Sequence, residues 1–254
     1  MRLDYADLIS GDSIYIDGVG HFHSPKLYEI YPTKGIGNYN YKLYISLLAW
    51  NKDKLIDYAK QIGVGGLRAF EGKDNLTYFD IITLIPTTRS MFEKAIDFFL
   101  DEKIEWDASK RAFIVYNQEG TPIGSISRLN YELVSNIILQ LNYINLEEDK
   151  APPKFTSDDA KKLWERAQEY LKKQSQKKTE ENPDYKLGNI ISKLCCVHNS
   201  YNLLNIYNLT IFQLYDQFFQ TSYLRGINLN DRIYSNHGSE SYKFEDWLKP
   251  INQK

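Results

Sequence analysis

Alternating apolar and polar positions predict a β-hairpin near the start of the chain. Ile14 and Ile16 alternate with polar residues, and Asp17-Gly18 is a dipeptide typical of a tight turn. Phe22 then falls on the same side of the returning strand. We therefore expect an antiparallel pair within residues 13–23.

A three-stranded meander and several helices are predicted downstream. The strands are expected over residues 103–107, 111–117 and 122–127, with turn-like connections between them. Apolar residues at helical spacing indicate helices around this sheet, over 39–50, 51–63, 87–100 and 127–142. Residues 1–146 are thus predicted to be an α+β domain, a small antiparallel sheet packed by helices.

Two of these helices carry specific expectations. In the 87–100 helix, the candidate caps are Thr87, Thr88 and Ser90, and Ser90 and Glu93 stand at capping-box spacing. Its inward positions are Phe92, Ala95, Ile96 and Phe99. In the 127–142 helix, Ser127 is the expected start, and the residues in line are Leu129, Leu133, Ile137 and Leu141.

The remainder of the chain is predicted to be helical. Residues 147–184 form an expected linker, because it opens with charges and two prolines and continues as a charged amphipathic helix. Residues 185–254 are expected to be a small helical domain with helices over 187–198, from 211 to about 224, and over 243–251. The 228–236 segment is polar and is expected to be rich in turns. The whole chain is thus α+β and mostly helical.

The segment 199–219 is the most distinctive part of the sequence. Thr210 is the expected N-cap of a helix, and Gln213 stands at capping-box spacing from it. A continuous apolar stripe follows, made of Ile211, Leu214, Tyr215, Phe218 and Phe219. This stripe suits the core of the C-terminal domain, and it also suits a helix-in-groove contact with a partner.

Bulk composition excludes several classes of protein. The formal net charge of −2 gives no basic field for nucleic acid or an anionic membrane. The first residues carry acids without an apolar core, and no apolar run approaches the ~20 residues that a membrane helix needs. Cys195 and Cys196, the only cysteines, are adjacent, which suits neither a disulfide nor a zinc site. These features are typical of a protein of a reducing cytosol.

Three short motifs have spacings that also occur in metal, phosphate or catalytic sites. His21 and His23 have the spacing of two metal ligands on a strand, but the sequence offers no third ligand. The glycine-rich segment 63–66 lacks the Lys-Ser/Thr ending of a phosphate loop. Cys195 and His198 share a helix face without a group that orients the histidine. We therefore predict no catalytic residue, no metal and no cofactor, and a protein that is not an enzyme.

The lack of cations in the second helix of the 187–224 region argues against a helix–turn–helix motif that binds DNA. The second helix would present Gln213, Asp216, Gln217 and Gln220, and no cation occurs from residue 199 until Arg225. Cations supply most of the affinity of proteins for DNA. No nucleic-acid partner is expected, and a DNA-binding regulator is the weakest alternative.

Several stretches resemble tail-assembly proteins of tailed bacteriophages from low-GC Gram-positive hosts. They are Asn-Ser-Tyr-Asn-Leu-Leu-Asn-Ile at 199–206 and Leu-Thr-Ile-Phe-Gln-Leu-Tyr-Asp-Gln-Phe at 209–218. The opening, at 14–20 and 24–30, and the closing Phe-Glu-Asp-Trp-Leu at 244–248 are similar too. The similarity is one of general character across these stretches.

The resemblance implies a non-enzymatic tail assembly chaperone in the host cytoplasm. Its expected partners are the tape-measure protein and tail tube subunits, with self-association as a further option. The alternative is a structural component of the virion, in the tail or baseplate. The expected partner-binding residues lie mostly in the Asn- and Tyr-rich lead-in to the 211 helix: Tyr201, Asn202, Asn205, Tyr207, Asn208, Thr210 and Trp247.

Overall fold

The fold comes from a computed structural model that describes residues 1–31, 35–61, 76–144 and 186–237. The chain forms two units. The first comprises Met1–Leu146 and Tyr207–Asp216, and the second comprises Glu147–Ile206 and Gln217–Lys254. The segment Tyr207–Asp216 therefore joins the first unit, which differs from the predicted division at residue 185. The predicted linker at 147–184 lies outside the described residues.

The first unit is an α+β fold, as predicted, with two small antiparallel sheets among helices. Its described elements before the linker are, in chain order, α1 (Tyr5–Ser10), β1 (Ile14–Ile16), β2 (Gly20–Phe22), α2 (Leu27–Ile30), α3 (Asn38–Ala49), α4 (Lys52–Gln61), α5 (Tyr78–Leu84), α6 (Pro86–Phe99), β3 (Lys103–Asp107), β4 (Ala112–Tyr116), β5 (Pro122–Ile126) and α7 (Tyr131–Leu141). Helix α3 packs against both α6 and α7.

The predicted hairpin is confirmed as β1 and β2, with Ile14 opposite Phe22. Gly18 adopts a φ of 68° in the turn, a conformation that glycine reaches without strain. The turn lies close against β5, because the Ser125 N–H donates to the Gly18 carbonyl at 3.0 Å. A Cβ added at Gly124 would collide with that same carbonyl. The absence of a side chain at Gly124 thus permits the contact between the two sheets.

The predicted meander is also confirmed, in the order β3-β4-β5. Its inner face meets an aromatic cluster centred on Phe113 of β4. The Phe113 ring centroid lies 5.0 Å from that of Trp106, 6.0 Å from Phe92 and 6.1 Å from Phe79. Phe79, Phe92 and Phe113 are fully buried, so this cluster forms the centre of the first unit's core.

Helix α6 begins earlier than predicted. Pro86 occupies its first turn, where the missing N–H costs no hydrogen bond, so the candidate caps Thr87, Thr88 and Ser90 are all wrong. The Thr88 hydroxyl donates to the Ile82 carbonyl at 2.7 Å and so secures the α5–α6 junction. The inward prediction is confirmed, since Phe92, Ala95, Ile96 and Phe99 are all buried.

Helix α7 begins later than predicted. The Asn130 side chain accepts from the Ser127 N–H and donates to the Ser125 carbonyl, each at 2.8 Å. These bonds hold a turn after β5 and place Leu129 outside the helix, 95% exposed. Ile137 and Leu141 are buried as expected.

The described part of the second unit contains α8 (Leu187–Val197) and most of α9 (Ile211–His237), with a 3₁₀ turn (Ile206–Asn208) between these helices in the chain. Helix α9 runs through residues 228–236, where turns were predicted. No proline interrupts this stretch, and Ile227 supplies a buried apolar position beyond the expected end. No helix within the described ranges is long and apolar enough to span a bilayer.

Candidate partner-binding site

The lead-in segment begins where α8 ends. The His198 N–H donates to the Leu194 carbonyl at 2.9 Å and closes the helix. The Ser200 N–H then donates to His198 Nδ1 at 3.2 Å, just beyond the end of the helix. The Tyr201 ring packs on the His198 ring with 4.4 Å between centroids, and Tyr201 is half-buried as a result.

Asn202 and Asn205 hold the loop together through their side chains. Asn202 Oδ1 accepts from the Leu204 N–H at 2.8 Å, and Asn205 Oδ1 accepts from the Asn202 N–H at 2.8 Å. Asn205 Nδ2 also donates to the Ser200 carbonyl at 2.9 Å. Such asparagine bonds to nearby backbone groups define tight turns. Both asparagines were expected to face a partner, and the structure gives both a role in shaping the loop.

The residues that this loop exposes are Leu203 and Leu204. They are 64% and 92% exposed, whereas Ile206, two residues later, is fully buried. The buried Ile206 and the asparagine bonds thus hold two leucines out in solvent, and we call this pair the leucine tip. The sequence analysis did not single out either leucine. The sequence pattern that indicates the tip is a pair of adjacent leucines flanked by two asparagines, which favour turns.

Tyr207, Asn208 and Thr210 lie in the segment that belongs to the first unit. This segment runs antiparallel to the residues before α2, with the Leu27 N–H donating to the Leu209 carbonyl at 2.9 Å. Lys26 and Thr210 pair in an isolated antiparallel bridge. A second hydrogen bond flanks this bridge, because the Ile211 N–H donates to the Pro25 carbonyl at 2.8 Å. Asn208 is exposed and Tyr207 is half-buried.

Thr210 is the N-cap of α9, as predicted. Its hydroxyl accepts from the Gln213 N–H at 3.1 Å, and Gln213 Oε1 accepts from the Thr210 N–H at 3.0 Å. Gln213 Nε2 also donates to the Ile9 carbonyl at 2.9 Å. Because Thr210 is only 2% exposed, it offers almost no surface to a partner.

Tyr207 belongs to a group of tyrosines in the first unit. Burial raises the pKa of the Tyr31 hydroxyl, and the nearby phenols of Tyr215 and Tyr207 raise it further. The Tyr143 and Tyr215 rings stack with 5.9 Å between centroids. The Tyr31 phenol therefore stays neutral, and the Tyr143 and Tyr215 rings pack near the start of α9.

The start of α9 is buried in the first unit. Ile211 and Leu214 are fully buried there, so the first part of the apolar stripe belongs to this core and not to a C-terminal one. Asp216 is fully buried as well and accepts a hydrogen bond from the Tyr5 hydroxyl at 2.8 Å. Asp216, one of the residues that a recognition helix would present to DNA, is thus engaged inside the protein.

The second unit contains a cleft of about 420 Å³ between the last turns of α8 and the middle of α9. Leu194, Val197 and Phe218 supply apolar lining, and Lys193 and Arg225 supply positive charge. We call this feature the α8–α9 cleft. The exposed Cys196 also lines it.

The chemical motifs found in the sequence have structural partners. His21 Nδ1 lies 2.6 Å from Glu102 Oε1, and His23 Nδ1 lies 2.7 Å from Asp101 Oδ1. No group of three or more His, Cys, Asp or Glu residues suited to a metal occurs among the residues described. Burial raises the pKa of the Cys195 thiol, with Cys196 adding to the shift, so the thiol stays protonated and weakly nucleophilic. Trp247 and the glycine segment 63–66 lie outside the described residues.

Comparison with protein families gives a match in this part of the chain. Residues 174–252 match a family described as the YomV second domain, which is a phage-derived family. The match fits a phage protein. It covers under a third of the 254 residues and contains α8, the loop with the leucine tip and all of α9. Neither the curated proteins nor the solved structures compared with the chain give a match.

Proposed function

We propose that this chain is a phage tail assembly chaperone, a non-enzymatic protein that binds tail proteins during morphogenesis. The observation that carries the proposal is the family match over 174–252. It fits the phage origin that the resemblance of 199–218 and 244–248 implied from the sequence. A chaperone of this kind would act in the host cytoplasm, with the tape-measure protein and tail tube subunits as its partners.

The arrangement of the matched region supports a binding role. A protein surface that meets partners carries exposed apolar side chains among polar ones. The loop after α8 exposes two leucines, with Asn202, Asn205 and the half-buried Tyr201 around them. Trp247 lies within the matched residues and remains a predicted contact.

Co-expression with the tape-measure protein of the same phage tests the proposal. We expect a complex that co-purifies through affinity capture and size exclusion, with the phage's major capsid protein as the negative control. If both proteins are soluble and no complex forms with the tape-measure or tube protein, the chaperone proposal fails.

A structural role in the tail or baseplate is the second candidate, because the phage family match favours it equally. Mass spectrometry of purified particles separates the two roles. A chaperone should be absent from the particles, whereas a structural component should be present at a fixed ratio to the tube protein. Presence at a fixed ratio would replace the first proposal with the second.

A further inference from the structure

Two histidines stand two residues apart on the second strand of the N-terminal hairpin. His21 lies in β2, His23 follows directly after the strand, and Phe22 between them is fully buried. The backbone stays paired through His23, whose N–H donates to the Phe99 carbonyl at 3.0 Å. The Asp101 N–H likewise donates to the His21 carbonyl at 2.9 Å. Alternate residues of an extended chain place their side chains on one face, so the two imidazoles are neighbours there.

A carboxylate holds one ring nitrogen of each histidine. His21 Nδ1 lies 2.6 Å from Glu102 Oε1, and His23 Nδ1 lies 2.7 Å from Asp101 Oδ1. An ionised carboxylate only accepts hydrogen bonds, so Nδ1 carries the proton and donates in both pairs. Glu102 is fixed further, because its Oε2 accepts from the His21 N–H at 2.9 Å. Each neutral imidazole therefore keeps the lone pair of its second nitrogen on Nε2.

Both Nε2 atoms are accessible to a ligand. Neither has a hydrogen-bond partner among the residues that the structure describes. The side chains of His21 and His23 are 46% and 19% exposed, so solvent reaches this face of the hairpin. The Tyr15 ring packs on the His21 ring with 4.9 Å between centroids, which restricts the movement of that imidazole.

Histidines in this arrangement are suited to bind a metal ion. Neutral imidazole ligates a metal through one nitrogen, and ligating histidines usually donate their other ring N–H to a carboxylate, a carbonyl or water. Such a carboxylate fixes the orientation of the ring and increases the basicity of the ligating nitrogen. The sequence shows only the spacing of the two histidines, whereas the structure supplies an orienting carboxylate for each.

We propose that His21 and His23 bind one divalent transition-metal ion through their Nε2 atoms, with Glu102 and Asp101 as positioning residues. Zn²⁺, Cu²⁺ and Ni²⁺ are ions that imidazole ligands suit. Since no group of three potential ligands occurs in the described part of the chain, water fills the remaining coordination positions. Two protein ligands hold an ion less tightly than the usual three or four, so the site should load reversibly. The inference goes beyond the proposed function and uses only residues of the first unit.

Isothermal titration calorimetry of the full chain with Zn²⁺ alone tests the site. The protein carries Cys195→Ser and Cys196→Ser, so that neither thiol competes for the ion. We expect one ion per chain, and no measurable binding when His21→Gln or His23→Gln is added. The matched control is His198→Gln, which removes an imidazole from the second unit and should leave the affinity unchanged.

The positioning carboxylates are tested separately. Glu102→Gln and Asp101→Asn keep an acceptor oxygen and remove the charge that favours the Nδ1 proton. Each should weaken Zn²⁺ binding by about tenfold or more, as loss of a carboxylate behind a metal-ligating histidine does. Glu119→Gln removes the same charge from the exposed turn between β4 and β5 and should bind Zn²⁺ like the native chain.

NMR of the histidine side chains identifies the ligating atoms. Zn²⁺ should shift the Nε2 resonances of His21 and His23, leave their Nδ1 atoms protonated and leave His198 unchanged. This measurement keeps the native histidines, so it does not depend on the folding of a variant. A chain that binds no Zn²⁺, a His21→Gln/His23→Gln variant that binds equally well, or shifts confined to other residues would each overturn the proposal. Capture of the tape-measure protein is measured without added metal, so its failure bears on the proposed function alone.

Discussion

The two units differ in where they keep their large apolar side chains. In the first unit, the aromatic rings of Phe79, Phe92 and Phe113 converge with Trp106 behind the meander, and the three phenylalanines are fully buried. In the described part of the second unit, the buried positions of α8 are aliphatic and come from one helix face. They are Leu187, Ile190, Ile191 and Leu194.

The second unit also leaves more aliphatic surface in contact with water. Its exposed aliphatic residues are Val197, Leu203, Leu204, Leu224, Leu229 and Ile233, all within the described part of this short unit. A small unit has less interior in which to bury apolar side chains. The comparison indicates that the described part of the second unit buries a smaller share of its apolar side chains than the first unit does.

Removing a ring from the first unit's core should have the largest effect. We expect Phe113→Ala to lower the free energy of unfolding by about 3–5 kcal/mol, because it leaves a cavity among buried aromatic rings. Urea unfolding followed by circular dichroism measures the change. The matched control is Leu129→Ala, at a residue that is 95% exposed, and it should change stability by less than about 0.5 kcal/mol. Equal effects of the two variants would contradict the described core.

Truncating a buried side chain of the second unit tests whether its stability depends on the core of the first unit. Ile190 is fully buried on α8, and Ile190→Ala should weaken the protection of the α8 amides by about 2–3 kcal/mol in hydrogen exchange. The half-exposed Val197 provides the control, as Val197→Ala should leave those amides nearly unchanged. If the amides of β4 lost protection to the same extent, the two units would not be independently stabilised.

Loss of the α9 cap should lower the free energy of unfolding by a smaller amount. Thr210→Ala removes the hydroxyl that accepts from the Gln213 N–H, and we expect a loss of about 1 kcal/mol in thermal or chemical unfolding. Thr210→Ser keeps the hydroxyl and should retain most of the stability. A serine variant as unstable as the alanine variant would assign the effect to the methyl group.

The smallest effect is expected at the β3–β4 turn. Hydrogen bonds from the Ser109 hydroxyl, then from the backbone, lower the pKa of Asp107. Because the folded pKa lies below the unfolded one, its contribution to stability is present above the unfolded pKa and is lost as the pH falls through the folded value. Ser109→Ala should raise this pKa toward its ordinary value in an NMR titration, whereas Lys110→Gln should raise it less.

Local patterns in the sequence were sufficient for the elements of the first unit. The alternation around Asp17-Gly18 predicts the hairpin, and the spacing of Thr210 and Gln213 predicts the cap. Errors arose where two local signals competed. Pro86 starts α6 before the expected cap, and the Asn130 turn delays α7.

What the sequence could not indicate depends on contacts between distant residues. The segment Tyr207–Asp216 belongs to the first unit because its backbone pairs with Lys26 and Leu27, far away in the chain. The exposure of Leu203 and Leu204 likewise depends on the asparagine bonds that turn the loop. The sequence analysis gave these leucines no role, and the asparagines, which it predicted as partner contacts, hold the loop through their side chains while remaining exposed.

The contact between Gly124 and the Gly18 carbonyl also constrains how this protein can diverge. A side chain at Gly124 has no space against that carbonyl, whereas a Cβ at Gly188 or Gly226 would meet nothing within 4 Å. Over evolutionary time, position 124 should stay glycine in chains that keep this pair of sheets, while 188 and 226 drift. A distant relative of the first unit would then be recognised by one retained glycine beside a β-hairpin turn, even after its surface had changed.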